Sequence, residues 1–405
     1  MLRINLTGQE KMPPHKESFD KSKIHLISLI AFLMGFSQAL VAYVLSSYFK
    51  EISGTESVGP FYIVSYLVVL LVLLNWHKVI RKFGKARVFI LSVLAKVGIV
   101  IALVFLPPSY WALAFLMLYL ICGALEWTSL DIILESYSKD NLSGRIRGIH
   151  LTIYNAGFIF GPLASTYILS QYQFQGVFVG LLILNAIILI FSMVGLSNIN
   201  HGYKRDLNIA EIITKVWRRK NILRIFYISI TLEIFFALLV IYTPIYLLDL
   251  GYGWDDIGIM FSVMLVPFVL LQIPVGFLAD KKWGEKEMII VSLAMMALAT
   301  ILLFTSGRQS VAVWAGILFL TRLGAAALEI LRDSYFYKRI DGYDVDMIDL
   351  YKATLPVGYI VANALAFLCL LIFPLKAVFL IVVVVVASAL VPAFALKDNK
   401  AECEC

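Results

Sequence analysis

Apolar residues in this chain run in long, nearly unbroken blocks, with polar residues confined to the short stretches between them. Twelve such blocks stand out, at residues 24–49, 58–76, 87–107, 110–136, 148–170, 176–197, 223–248, 256–279, 286–305, 310–334, 348–371 and 375–396. A helix rises 1.5 Å per residue, so about 20 residues cross a hydrocarbon layer roughly 30 Å thick. Helices also satisfy their own backbone hydrogen bonds where no water is present. The alternating segments of about 10 residues that a membrane β-barrel needs are absent. The pattern predicts an all-α membrane protein with twelve transmembrane helices, and the even count puts both termini on one face. The first block carries Ser37 and Gln38, is too long for a signal peptide and lacks a small-residue cleavage site, so it reads as the first crossing.

The blocks repeat. Leu130-Asp131-Ile132-Ile133-Leu134-Glu135-Ser136-Tyr137 returns 198 residues later as Leu328-Glu329-Ile330-Leu331-Arg332-Asp333-Ser334-Tyr335. The basic turn from His77 to Lys85 has a counterpart from Gly276 to Lys286. Ile153-Tyr154-Asn155-Ala156, leading to Gly161, matches Leu350-Tyr351-Lys352-Ala353, leading to Gly358, at an offset of 197. Three markers in one order make two six-helix pseudo-symmetric bundles the economical arrangement. The expected division is a terminal segment 1–23, a bundle 24–197, a linker 198–222, a second bundle 223–396 and a tail 397–405.

Composition agrees: 61% of residues are hydrophobic and 15% charged, against about a quarter charged in soluble domains. Of 34 Lys and Arg, only Lys50, Arg308 and Lys376 fall in the segments facing away from the termini. The positive-inside rule then makes both termini cytoplasmic, in a plasma (inner) membrane. The net charge of +7 is accounted for by topology, and no nucleic-acid partner is expected. In the linker, amphipathic Ile209-Ala210-Glu211-Ile212-Ile213 precedes Trp217-Arg218-Arg219-Lys220. It is expected to lie on membrane lipids, with docking of another protein as the lesser reading. Cys122 and Cys369 lie in crossings, and Cys403 and Cys405 form a poor metal site on a cytoplasmic tail, so no disulfide, metal or cofactor is expected.

The basic turn of the second half reads Gly276, Asp280, Lys281 and Gly284. With one extra residue before the last glycine, it resembles the signature loop of the major facilitator superfamily. The first-half copy departs from it, with His77 at the leading glycine and Arg81 at the acidic position, while Lys82, Gly84 and Lys85 still fit. The resemblance covers essentially the whole chain and implies alternating-access transport by two rocking bundles. It also implies that Asp280 helps latch the halves, and that the latch is missing from the first half. Arg81 would instead favour a carboxylate, such as Asp131 or Glu135, or a lipid phosphate. Gly157-x-x-x-Gly161-Pro162 is similar to the glycine–proline motif of the family's antiporters, although Leu163-Ala164-Ser165 stands where two glycines normally follow. Close helix packing is its weightier reading and export the lesser.

A charge in hydrocarbon costs about 2.5–3.5 kcal/mol on insertion scales, so charged residues inside crossings are functional candidates. Glu233 lies about 15 Å into its crossing, without a charged neighbour on its own helix. Arg322 is near mid-depth and Glu126 somewhat nearer the cytoplasm. A carboxyl group stripped of water favours its neutral form, and a facing guanidinium favours the ionised one. Glu126 and Glu233 therefore fit proton coupling or substrate binding. Arg322 fits either a substrate anion or a buried carboxylate. Asp131 with Glu135, and Glu329 with Asp333, are like charges four residues apart that need basic partners. Arg332, Arg145 and Arg147 are at hand, which suggests a gating or inner-side network. Lys352 is shallow enough to snorkel, and Lys96 could snorkel or pair with a neighbour's acid. Gln38, Tyr154, Asn155, Tyr351 and Lys352 are candidates to line a cavity, and His150 stands at a crossing's mouth.

The leading expectation is a monomeric secondary active transporter for a small organic molecule, proton-coupled and leaning slightly towards export. An amphipathic cation, a zwitterion or a sugar would each suit these residues. No phosphate-binding Gly-x-x-x-x-Gly-Lys-Ser/Thr loop is present to use ATP, and no catalytic constellation supports an enzyme. A receptor or scaffold that keeps the bundle without transporting is the alternative, supported by the altered Arg81 loop.

Overall fold

The computed structural model describes residues 21–397 except 56, 138–142, 197–208, 280–283 and 341–345. The described residues form helices and short connections. The first half contains α1 (Lys21–Ala42), α2 (Leu45–Ser53), α3 (Gly59–Phe83), α4 (Lys85–Phe105), α5 (Tyr110–Tyr137) and α6 (Ser143–Leu196). After α7 (Ile209–Arg218), the second half contains α8 (Lys220–Asp249), α9 (Trp254–Leu270), α10 (Gln272–Leu278), α11 (Glu285–Thr305), α12 (Val311–Arg339), α13 (Asp346–Lys352), α14 (Thr354–Leu370) and α15 (Ala377–Phe394).

Eleven helical stretches among the described residues are long and apolar enough to cross a membrane. One of them, Ile149–Leu196, contains two of the expected crossings. It folds back at Gln173, whose φ of 56° and ψ of −165° lie outside helical geometry, so twelve crossings result. Three other crossings are interrupted: α1 gives way to α2 at Tyr43 and Val44, α9 to α10 at Leu271, and α13 to α14 at Ala353. The outer surface is a belt of exposed Leu71, Val194, Leu298 and Val391, while Lys96, Glu126 and Arg322 are buried. A soluble protein places these residue types the other way round.

The repeat is visible in the backbone. Gly84, with φ of 86°, and Gly284, with φ of 70°, precede α4 and α11, while Gly54 and Gly251, with φ of 67° and 84°, follow α2 and α8. Each pair occupies matching turns of the two halves, in left-handed conformations where a Cβ would be strained. Packing repeats too. Gly157 and Gly161 of α6 lie against Phe32 and Ala39 of α1, and Gly358 of α14 lies against Glu233 of α8. In both bundles a glycine of the fifth crossing brings it onto the first. The Gly157–Gly161 motif thus acts in close packing. The two bundles meet chiefly along α3 with α14 and along α6 with α9.

In α7, Ile212 and Val216 are buried, while Ile213 and Trp217 are exposed beside Arg218, Arg219 and Lys220. Asp280, expected to latch the halves, and the side chains of Glu135, Arg145 and Arg147 lie outside the described residues. Arg81 is exposed at the end of α3.

Candidate functional site

Charged side chains inside the bundles meet in three places. In the first bundle, Lys96 of α4 donates to Glu126 Oε2 of α5 at 2.8 Å. Both side chains are almost completely buried. The Lys96 ammonium also lies 4.7 Å from the centre of the Tyr119 ring. A Cβ at Gly123, one helical turn before Glu126, would stand 3.3 Å from Gln38 Oε1 and 3.9 Å from Lys96 Nζ. The missing side chain at Gly123 therefore leaves space for Gln38 to reach this pair. Glu126 Oε1 has no hydrogen-bond partner. Lys96 does not snorkel. It takes the other course open to it, a neighbour's acid.

In the second bundle, Arg332 of α12 forms a 2.8 Å ion pair with Glu233 Oε1 of α8 and stands 3.6 Å from Asp333. It also donates to the Ser229 carbonyl at 3.2 Å. Glu233 thus has a charged partner, 99 residues away in sequence, that its own helix does not show. Glu329, one turn before Arg332, lies within electrostatic reach of Arg332, Asp333 and Glu233. Three carboxylates surround this guanidinium. Gln272 of α10 donates to Glu329 at 3.0 Å and accepts from Thr152 of α6 at 3.4 Å. A polar chain therefore runs from the first bundle into the Arg332 cluster. Tyr351, expected to line a cavity, is buried in this bundle. Its hydroxyl donates to Asp333 at 2.9 Å and accepts from Ser229 at 3.0 Å, and its ring stacks on Phe336 at 4.0 Å.

Arg322 is the third place. It is 2% exposed and lies near the middle of α12, ten residues from Arg332. Its guanidinium lies 5.5 Å from the ring centres of both Phe235 and Phe236 of α8. Tyr43, at the break between α1 and α2, and Tyr359 of α14 are within electrostatic reach. Arg322 Nε has no hydrogen-bond partner. Among the described residues no carboxylate pairs with it. Two cation–π contacts contribute roughly 0.5–2 kcal/mol each, whereas burying an ion costs several kcal/mol. The surrounding rings come from both bundles: Tyr43 packs on Phe261 at 4.9 Å, and Tyr66 of α3 on Tyr359 at 4.3 Å.

Other expected residues are placed as follows. Tyr154 packs at a tilt against Trp127 at 4.4 Å and Phe158 at 5.6 Å, within electrostatic reach of Tyr359 and Glu329. Asn155 is half-buried, with its Nδ2 unpartnered. Lys352, expected to line a cavity or snorkel, is engaged in an ion pair. It reaches across the bundles to Asp131 at 2.5 Å. On the opposite face Lys50 of α2 meets Asp249 of α8 at 2.9 Å. The sequence reading passed over Tyr43, Phe235, Phe236, Tyr359 and Gln272. The Phe-Phe pair two residues after Glu233 was a usable signal; Tyr43 needed the helix break to be known.

A family model described as Major Facilitator Superfamily matches residues 27–326 and 255–402. The chain belongs to the major facilitator superfamily. Among solved structures, this superfamily member is similar to that of a single-residue mutant of the nucleoside transporter NupG. The TM-score is 0.69 at 14% identity, over 92% of this chain and 99% of that one. At that identity the likeness is one of fold. No curated protein sequence matches the chain. Family and fold together make this a multi-pass membrane transporter, with two bundles of six crossings enclosing the three charged places.

Proposed function

We propose that the protein is a proton-coupled secondary active transporter that moves a small organic molecule by alternating access, in the plasma membrane with both termini cytoplasmic. One observation carries this reading: the Arg332 cluster is buried at the inner wall of one bundle and joined, through Gln272 and Thr152, to the other bundle. A buried group of carboxylates that share a guanidinium is a place where a proton can be taken up and released. Its connection across the bundles lets that event bias their relative position. Buried charges that only hold a scaffold together would be replaceable by apolar residues at little cost, so their presence favours a transporter over a receptor. The Gly157–Gly161 motif packs α6 on α1, and its likeness to the antiporters' motif leans the direction slightly towards export.

The test is proton movement in proteoliposomes under an imposed pH gradient, followed with an entrapped pH-sensitive dye across a panel of small organic compounds. At least one compound is expected to move protons with the parent protein, and Glu233→Gln is expected to slow coupled movement by about 10-fold or more. Substrate-driven proton movement that is unchanged in Glu233→Gln would remove this cluster from coupling.

A further inference from the structure

We propose that the substrate is an organic anion with one acid group on a flat, unsaturated body. The acid would sit on Arg322, and its plane would lie among Tyr43, Phe235, Phe236 and Tyr359. This rests on the transporter reading and names the class of molecule it would serve.

Three observations lead there. First, Lys96, Arg322 and Arg332 are the buried Lys and Arg among the described residues. Lys96 has Glu126 and Arg332 has Glu233, while Arg322 faces ring faces and hydroxyls, with Nε unpartnered. An opposite charge is what this position needs. Second, no carboxylate among the described residues stands beside Arg322 to hold a positively charged substrate there. Glu126 and Glu233 are ion-paired, and Glu329 accepts from Gln272. The sequence alone allowed a cation, a zwitterion or a sugar. These pairings, with a bare guanidinium at the centre, turn the choice against a cation. Third, the lining is aromatic and comes from both bundles, with Tyr43 from the first and Phe235, Phe236 and Tyr359 from the second. A planar guanidinium presents a fork of donors that fits a carboxylate or sulfonate through two parallel hydrogen bonds. Ring faces beside it favour a flat body over a flexible chain. Such a ligand would neutralise Arg322 and touch both bundles at once, which couples its binding to their approach.

The experiment measures binding to the full-length protein in lipid nanodiscs, by equilibrium dialysis of radiolabelled benzoate. Its competitors keep the ring and vary the charge: benzenesulfonate, benzamide and benzylamine. Cyclohexanecarboxylate keeps the acid and removes the unsaturation. Benzoate is expected to bind and benzenesulfonate to displace it. Benzamide and benzylamine are expected to compete at least about 10-fold more weakly, and cyclohexanecarboxylate to be weaker than benzoate. Arg322→Gln is expected to lower benzoate affinity by about 10-fold or more, and Arg322→Lys, which keeps the charge without the fork, to fall between. The lysine variant carries the comparison if the glutamine variant does not fold. The inference is overturned if benzylamine or benzamide competes as well as benzoate, or if no aromatic acid binds at millimolar concentration. Benzoate binding that is indifferent to both substitutions in folded protein overturns it equally. A cation or neutral compound that moves protons in proteoliposomes would end the anion assignment and leave the transporter standing. Arg322-dependent benzoate binding without coupled movement of any aromatic acid would do the reverse.

Discussion

Lys96 and Glu126 show how much a single residue depends on its partner. Each would cost several kcal/mol if buried alone, and their mutual attraction with one hydrogen bond offsets that cost only while both are present. Lys96→Met or Glu126→Leu alone is therefore expected to destabilise the protein by about 3–5 kcal/mol, and the double substitution to recover most of the loss. Thermal unfolding of the three variants in one detergent checks this; a double variant as unstable as the sum of its parents would mean that packing, and not charge, dominates the site. The same dependence limits what the sequence could show. That Glu126, Glu233 and Arg322 face protein and not lipid was legible from the cost of placing charge in hydrocarbon. Which of them was paired was not, because Arg332 meets Glu233 from a helix 99 residues away. Glu233 looked solitary and is not, and Arg322 keeps no carboxylate among the described residues.

Elements were the most legible level, since apolar length alone sets a crossing. What length cannot register is the interior of an element. The turn at Gln173 was legible, because the polar run from Ser170 to Gln175 parts two apolar blocks even though the helix is otherwise continuous. The breaks at Leu271 and Ala353 each stand three residues before a proline, Pro274 and Pro356, which cannot donate to the preceding turn, whereas the break at Tyr43 carries no such mark. Glycines are where packing does leave a mark in sequence. A side chain at Gly161 would collide with Ala39 of α1, whereas one at Gly98 of α4 meets nothing within 4 Å. Gly161→Leu is expected to destabilise by about 1–3 kcal/mol or more through overpacking, and Gly98→Leu by less than about 0.5 kcal/mol. Melting midpoints of the two variants, measured together, test whether the α1–α6 contact is as close as described; equal midpoints would contradict it.

For the molecule as a whole, the question is what holds the two bundles in this arrangement. Two ion pairs among the described residues join them on opposite faces: Lys352 with Asp131 on the face where α1 begins and α15 ends, here the terminal face, and Lys50 with Asp249 on the far side. They are not equal. The Lys50 and Asp249 side chains are 30% and 39% exposed, while those of Lys352 and Asp131 are 20% and 19% exposed. Water screens the first pair to about 0.2–1 kcal/mol. The second, half-buried and charge-assisted, should contribute roughly 1.5–3 kcal/mol. If the bundles rock as proposed, the pairs close opposite ends, and losing either shifts the population towards opening on that face. Asp131→Asn is therefore expected to increase labelling of single cysteines placed between the bundles on the terminal face by about 10-fold or more, as 1.4 kcal/mol is a factor of 10. Asp249→Asn should raise labelling on the far face by no more than about 5-fold. Substituted-cysteine labelling in membranes from both sides reads the two effects directly. If Asp131→Asn leaves labelling on the terminal face unchanged, the pair is incidental to gating, and the bundles are held by the apolar seams of α3 with α14 and α6 with α9.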